Sequence, residues 1–345
     1  VVALIRGPKD TLVRLELIPT GKGPDANSKI IRITRDKIKL EEQAAKMSII
    51  EIKRLEQLVR IGVIQIPTFY IDFEGRSRGD SDYRSTTRDT RKLIDALKFS
   101  NVDGLVIDLR GNGGGALTEA ISLSGLFISS GPIIQIRDAR GRIRPRNDPD
   151  KGIAYSGPLA VLVDRESASA SEIFAGAMQD YRRGLIIGEP TFGKGTVQNL
   201  IDLDRYSEDD SPVGQLKITT AQFFRIDGNS TQHRGIVPDI VLPMTVDSET
   251  QGERGLNHAL PWAKIDAAKF QHFSDASVVN ELLPAKTAHE ARLAIHPGLL
   301  FLRRNAALDR RIEKQKSVAL LELARRNEKQ RRDAERQSLL SDLYK

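Results

Sequence analysis

Short apolar runs of strand length alternate with stretches of helical spacing across residues 49–243, and this alternation restricts the middle of the chain to an α/β arrangement. Strands are predicted over residues 61–66, 103–109, 159–163 and 185–188, and helices over 85–99, 116–127 and 170–181. Leu93, Ile94 and Leu97 recur at helical spacing among charged neighbours. The flanks have a different texture. Residues 1–47 are β-rich, with strands expected at 2–5, 13–17 and 30–33 between the turn formers Gly7-Pro8 and Gly21-Lys22-Gly23-Pro24. Residues 245–255 are polar and linker-like. The remainder is rich in Ala, Leu, Glu, Lys, Arg and Gln, which predicts a helical domain with long helices from about residue 300 to the end. The expected division is therefore 1–47, 48–244 and 245–345.

With 345 residues, 39% of them hydrophobic and 29% charged, the chain has the make-up of a folded protein of two or three domains. No run approaches the length of a transmembrane helix. Zero cysteines exclude disulfides, zinc–thiolate sites and a cysteine nucleophile. No His-Glu-x-x-His or clustered carboxylate motif occurs, so no metal or other cofactor is expected. The net charge of +7 does not point to nucleic acid. Residues 301–345 hold thirteen Lys/Arg against seven Asp/Glu, so most of the excess sits there, interspersed with acids and without stacking aromatics. The first residues show no basic-then-apolar leader, and Val1-Val2-Ala3-Leu4-Ile5-Arg6-Gly7 reads as starting inside a folded domain, with residues expected upstream.

One stretch carries chemistry. Ser167-Ala168-Ser169-Ala170-Ser171-Glu172 is followed by Phe192-Gly193-Lys194-Gly195-Thr196, with a glycine-rich run, Gly111-Asn112-Gly113-Gly114-Gly115, upstream. A serine hydroxyl becomes a nucleophile when a base removes its proton. Lysine serves only when neutral, which requires its pKa to fall from ~10.4, and burial away from counter-charges supplies that fall. Pro190, Thr191, Phe192, Gly193 and Gly195 bring no carboxylate to Lys194. Ser169 stands where a strand gives way to a helix, and Ser169-Ala170-Ser171-Glu172 also fits a capping box, the bland reading of the same serine. Both readings share a geometry. A helix N-terminus presents unpaired N–H groups and partial positive charge, which makes Ala170 N–H a candidate oxyanion donor.

Together these residues resemble the C-terminal processing peptidases, the tail-specific serine proteases built on a Ser-Lys dyad. The resemblance implies a ClpP/crotonase-like spiral of ββα units for the core, Ser169 as nucleophile and Lys194 as base. Gln198 would hold the lysine amine, and Gly115 or Gly114 would supply the second oxyanion donor. It implies a serine endopeptidase that recognises non-polar C-termini of protein substrates and cleaves internal peptide bonds through an acyl-enzyme. The segment Leu4-Ile5-Arg6-Gly7-Pro8 with Val13-Arg14-Leu15 resembles the second half of a PDZ domain, a fold that binds peptide C-termini by strand addition. Long members of the family work in the periplasm on cell-envelope proteins, sometimes with an adaptor lipoprotein, and the basic helical tail suits an adaptor or a homo-oligomer contact.

Three rival readings bear on the same residues. Gly188-Glu189-Pro190-Thr191-Phe192-Gly193-Lys194 matches most of a P-loop, but Gly195 stands where Ser or Thr would hold magnesium. A Ser-His-Asp hydrolase would need His233, the one histidine in the central region, as its base, and no Gly-x-Ser-x-Gly elbow occurs. A non-catalytic peptide-binding scaffold remains the third. Asp180 is left out of the dyad, since a carboxylate beside the base would keep it charged.

Overall fold

The computed structural model describes residues 5–18, 27–36, 43–54, 57–150, 152–207, 213–243, 252–273 and 277–343. The chain forms two compact units, residues 1–42 and 43–345. In the first, β1 (Leu12–Leu17) and β2 (Lys29–Thr34) pair antiparallel, with Leu12 opposite Thr34 and Leu17 opposite Lys29. Most of the strand expected at 2–5 and the turn at Gly21-Lys22-Gly23-Pro24 lie outside the described residues.

The second unit is built on a six-stranded sheet in the order β12-β9-β8-β5-β4-β3. Its strands are β3 (Lys46–Arg54), β4 (Gln57–Gln65), β5 (Gly104–Asp108), β8 (Leu159–Val163), β9 (Leu185–Gly188) and β12 (Ile240–Val241). All pairs are parallel except β3 with β4. Parallel strands are covered on both faces, which is why Leu105-Val106-Ile107 and Leu159-Ala160-Val161-Leu162-Val163 read as continuous apolar runs. A short helix, α1 (Phe73–Ser77), precedes α2 (Thr86–Phe99), whose N-cap Ser85 accepts the Arg88 N–H. α2 buries Ile94 and Leu97, and Leu97 fits over Gly62 of β4, where a Cβ would stand only 3.0 Å from it.

Two further helices, α3 (Leu117–Gly125) and α4 (Ala170–Asp180), lie side by side. α4 is the centre of the core: nine of its eleven residues are buried, and Phe174 meets Phe127 edge-on at 5.7 Å. An apolar-all-round helix of this kind needs protein on every side. It receives it from α3, from β9 and from a second sheet, in the order β10-β11-β6-β7. That antiparallel sheet comprises β6 (Pro132–Asp138), β7 (Ile143–Asn147), β10 (Thr196–Asp202) and β11 (Gln215–Phe224). The C-terminal part is helical, with α5 (Ser277–Ile295), α6 (Pro297–Glu313) and α7 (Glu322–Leu343). Helix therefore begins about twenty residues before the 300 read from composition. No described helix is long and apolar enough to cross a membrane.

Candidate active site

The ends of β5 and β8 place the two halves of the site. Beyond β5 the chain enters the glycine loop, which buried Asn112 organises. Its Nδ2 donates to Ile66 O (2.8 Å) and its Oδ1 accepts Gly114 N–H (2.9 Å). Its carbonyl accepts Ala168 N–H (3.0 Å) and the Ser171 hydroxyl (2.8 Å). One side chain and its backbone thus tie the glycine loop to the end of β4 and to the serine segment. Gly114 and Gly115 have φ of +103° and +146°. A Cβ at Gly114 would stand 2.9 Å from Ser169 Cβ and 3.1 Å from Ala170 N, and one at Gly115 would stand 2.2 Å from Phe69 O. Only glycine allows this approach.

Beyond β8, Ser167 turns the chain by donating its hydroxyl to Leu109 O (2.8 Å). Ser169 follows with φ 56° and ψ −109°, then α4 begins. Ser169 is half-buried, and its side chain stands beside the glycine loop. Gly114 N–H is already committed to Asn112. The N–H groups of Gly115 and Ala170 have no partner among the described residues, so these two are the available donors.

The loop after β9 is laid on the start of α4 by Glu172. This carboxylate is fully buried and takes four donors: Ser169 N–H (2.8 Å), the Thr191 hydroxyl (2.6 Å), Gly193 N–H (2.7 Å) and Lys194 N–H (2.9 Å). Burial pushes its carboxyl up to about 7, and the four hydrogen bonds pull the other way. From Phe192 to Gly195 every backbone N–H and C=O is hydrogen-bonded. Phe192 is held by Ser167 O and Glu253 N–H, and Gly193 by Glu172 and His233 N–H. Lys194 is held by Glu172 and the Thr231 hydroxyl, and Gly195 by the Gln232 amide oxygen and Phe223 N–H. Lys194 therefore projects from a fixed stretch of backbone.

Of the residues singled out in the sequence, Ser169, Ala170, Gly114, Gly115 and Lys194 converge on this region. Gln198 lies on β10, directly after a bulge between Val197 and Gln198, and is exposed, with no hydrogen bond to Lys194. His233 holds Gly193 through its backbone, while its buried Nε2 has no hydrogen-bond partner, so it is not paired with Ser169. Asp180 pairs with Arg225 (Oδ1–Nε 3.1 Å) at the far end of α4. The residue that sequence reasoning undervalued is Glu172. The capping-box motif marks it, and its reciprocal bond to Ser169 N–H is present, but nothing in the motif signals its reach to Gly193 and Lys194.

A serine at the head of a buried helix, two N–H groups beside it without a partner among the described residues and a lysine on a hydrogen-bonded loop make up the candidate site of an α/β protein. Residues 60–242, more than half of the chain, match peptidase family S41, and the chain belongs to that family. Residues 246–343 match the C-terminal domain of tail specific protease. The chain is 41% identical to the tail-specific protease of Haemophilus influenzae over 100% of its own length and 47% of that protein's. It is 33% identical to the carboxy-terminal-processing protease of Bartonella bacilliformis over 72% of its own length and 51% of that protein's. The chain thus spans about half the length of the curated relatives it matches. Among solved structures, the photosystem II D1 C-terminal processing protease is 27% identical with a TM-score of 0.49, covering 73% of this chain and 62% of that one.

Proposed function

We propose that this chain carries the catalytic machinery of a serine endopeptidase working through a Ser169–Lys194 dyad. Ser169 attacks the substrate carbonyl, and Lys194, in its neutral form, takes the hydroxyl proton and returns it to the leaving amine. Ala170 N–H and Gly115 N–H receive the oxyanion, and water then hydrolyses the acyl-enzyme. Gln198, four residues past the lysine, is assigned the steadying of the lysine amine by the family resemblance alone, since it makes no hydrogen bond to Lys194 in the free chain.

The observation that carries this reading is the shared carboxylate. Glu172 Oε2 accepts from both Ser169 N–H and Lys194 N–H, so nucleophile and base segments are registered against a single atom. Membership of a peptidase family and the names of the relatives support proteins as the substrate class. Recognition of apolar C-termini by the β-rich residues 1–47, as the second half of a PDZ-like domain, is part of the proposal. A periplasmic setting, an adaptor lipoprotein and a homo-oligomer belong to the same proposal, as does the division into a protease core, 48–244, and a helical domain, 245–345.

The test compares Ser169→Ala and Lys194→Ala with wild type on an unfolded protein ending in apolar residues. Both variants are expected to fold and to lose at least ~10³-fold in turnover, and EDTA is expected to leave wild type unchanged. Activity in Lys194→Ala that disappears on adding His233→Ala would reassign the base. Activity surviving in Ser169→Ala would overturn the nucleophile.

A further inference from the structure

The segment Gly252-Glu253-Arg254 opens the stretch matched by the C-terminal domain of tail specific protease, yet its hydrogen bonds go to the loop that carries Lys194. Glu253 N–H donates to Phe192 O (3.0 Å), two residues before the lysine. Glu253 Oε1 accepts from Gln232 Nε2 (3.1 Å), and fully buried Gln232 turns its amide oxygen to Gly195 N–H (2.8 Å), one residue after it. A single residue thus grips the base loop on both sides of Lys194. Arg254 closes the same clasp, donating from Nε (3.0 Å) and Nη2 (2.7 Å) to the carbonyl of His233, whose own N–H holds Gly193 O (2.8 Å). Gly252 makes the approach possible: its φ is +77°, and a Cβ there would stand 2.3 Å from Phe192 O.

We infer that Glu253, assisted by Gly252 and Arg254, is a positioning residue for Lys194, so that the C-terminal domain completes the active site from its first residues. The inference rests on Lys194 being the base. Its physical content is the steepness of proton transfer with geometry: a displacement of about 1 Å in a catalytic group costs up to ~10²-fold in rate. Glu172 fixes the base loop from the helix side. Glu253 holds it independently, through partners on either flank of the lysine. Any shift of the C-terminal segment is therefore delivered to Lys194 first.

Steady-state kinetics of the full chain on an unfolded protein with an apolar C-terminus test this. Glu253→Ala is expected to lower kcat by about ten- to a hundredfold with KM changed less than about twofold, because binding is left intact while the base is misplaced. Glu253→Gln, whose amide oxygen still accepts from Gln232, is expected to recover most of kcat. Arg254→Ala, an exposed change that leaves the interior alone, is expected to lower kcat about threefold and keeps the clasp testable if Glu253→Ala fails to fold. Arg304→Ala, at a surface pair with Asp342, serves as the unaffected control. Wild-type kcat in both Glu253→Ala and Arg254→Ala, with Lys194→Ala inactive, overturns the clasp and leaves the dyad standing. Full activity in Lys194→Ala overturns the dyad, and the clasp with it.

Discussion

Ser169 sits in a backbone conformation, φ 56° and ψ −109°, that a residue with a Cβ resists at a cost of about 1–3 kcal/mol. Its surroundings impose it: the N–H is held by Glu172, the carbonyl by Ile173 N–H, and Gly114 packs against the Cβ. Ser169→Gly and Ser169→Ala are both expected to be inactive, but the glycine variant should be the more stable by roughly 1 kcal/mol in denaturant unfolding, because it relieves the strain. A glycine variant less stable than the alanine one would mean that the position carries no strain. Glu172 invites the complementary experiment. A glutamine there presents an NH₂ to two of four donors, so Glu172→Gln is expected to fold yet lose about 10²-fold in kcat through displacement of Ser169 and Lys194. Glu172→Ala leaves four donors buried without a partner, at about 1–3 kcal/mol each, and is expected not to fold. The candidate serine and lysine stand out in the sequence because their residue types announce chemistry. Glu172 was only half legible: its bond to Ser169 lies within a four-residue motif, whereas Gly193 and Lys194 are more than twenty residues further on, at no recognisable period.

At the level of elements, the parallel strands could be read because burial on both faces leaves them apolar throughout. Most of the antiparallel sheet could not. All five residues of β7 are exposed, and β11 buries only Phe223 and Phe224 among its ten, so neither shows the alternation that marks a half-buried strand. The β6–β7 hairpin nevertheless ends in a structural commitment. Asp148, one residue past β7, lays its carboxylate on Gly125 of α3, where a Cβ would stand 1.9 Å from Oδ2, and both oxygens are buried. Burial pushes this carboxyl up to about 6. A carboxyl raised in the folded state binds its proton more tightly there than in the unfolded chain. Its contribution to stability is therefore full below the ordinary carboxylate range and is lost as pH rises through about 6. Thermal melts of wild type should show stability declining from pH 4.5 to 7.5. Asp148→Asn, which carries no titrating proton, should make that decline shallower, leaving the share that Glu172 contributes, and melt higher than wild type at pH 7.5. Parallel curves for the two proteins would remove Asp148 as the cause.

Across the whole molecule, the polar stretch after Pro243 reads as a linker, but residues 252–273 are strapped along the α/β core. Ser230 N–H donates to Ala263 O (3.1 Å), Ile265 N–H to Gly228 O (2.9 Å), Ala268 N–H to Ile226 O (2.8 Å) and Phe273 N–H to Tyr181 O (2.9 Å). The Trp262 indole donates to Ser230 O (3.0 Å), and Phe270 meets Tyr181 edge-on at 5.2 Å. Contacts between one loop and another have no period, which is why composition suggested a spacer. The outer helices are attached differently. α6 and α7 are joined by the pairs Arg304–Asp342, Arg311–Glu335 and Arg336–Asp309, whose arginines are at least half exposed, and such pairs contribute little to stability. A chain ending at residue 296 should therefore keep the strap, unfold cooperatively and melt within about 5 °C of the parent. A chain ending at residue 243 loses the hydrogen bonds that Glu253 and Arg254 make around the Lys194 loop together with the partners of Ser230, Gly228 and Tyr181, and it buries no replacement for Phe270. It is expected to show no cooperative transition and no peptidase activity. Calorimetry of the two truncations decides the matter. A cooperative, wild-type-like melt for the shorter chain would show that the core is complete without its strap, whereas its absence there and persistence in the longer chain place the boundary of the folded core between residues 243 and 296, inside what the sequence presents as the C-terminal domain.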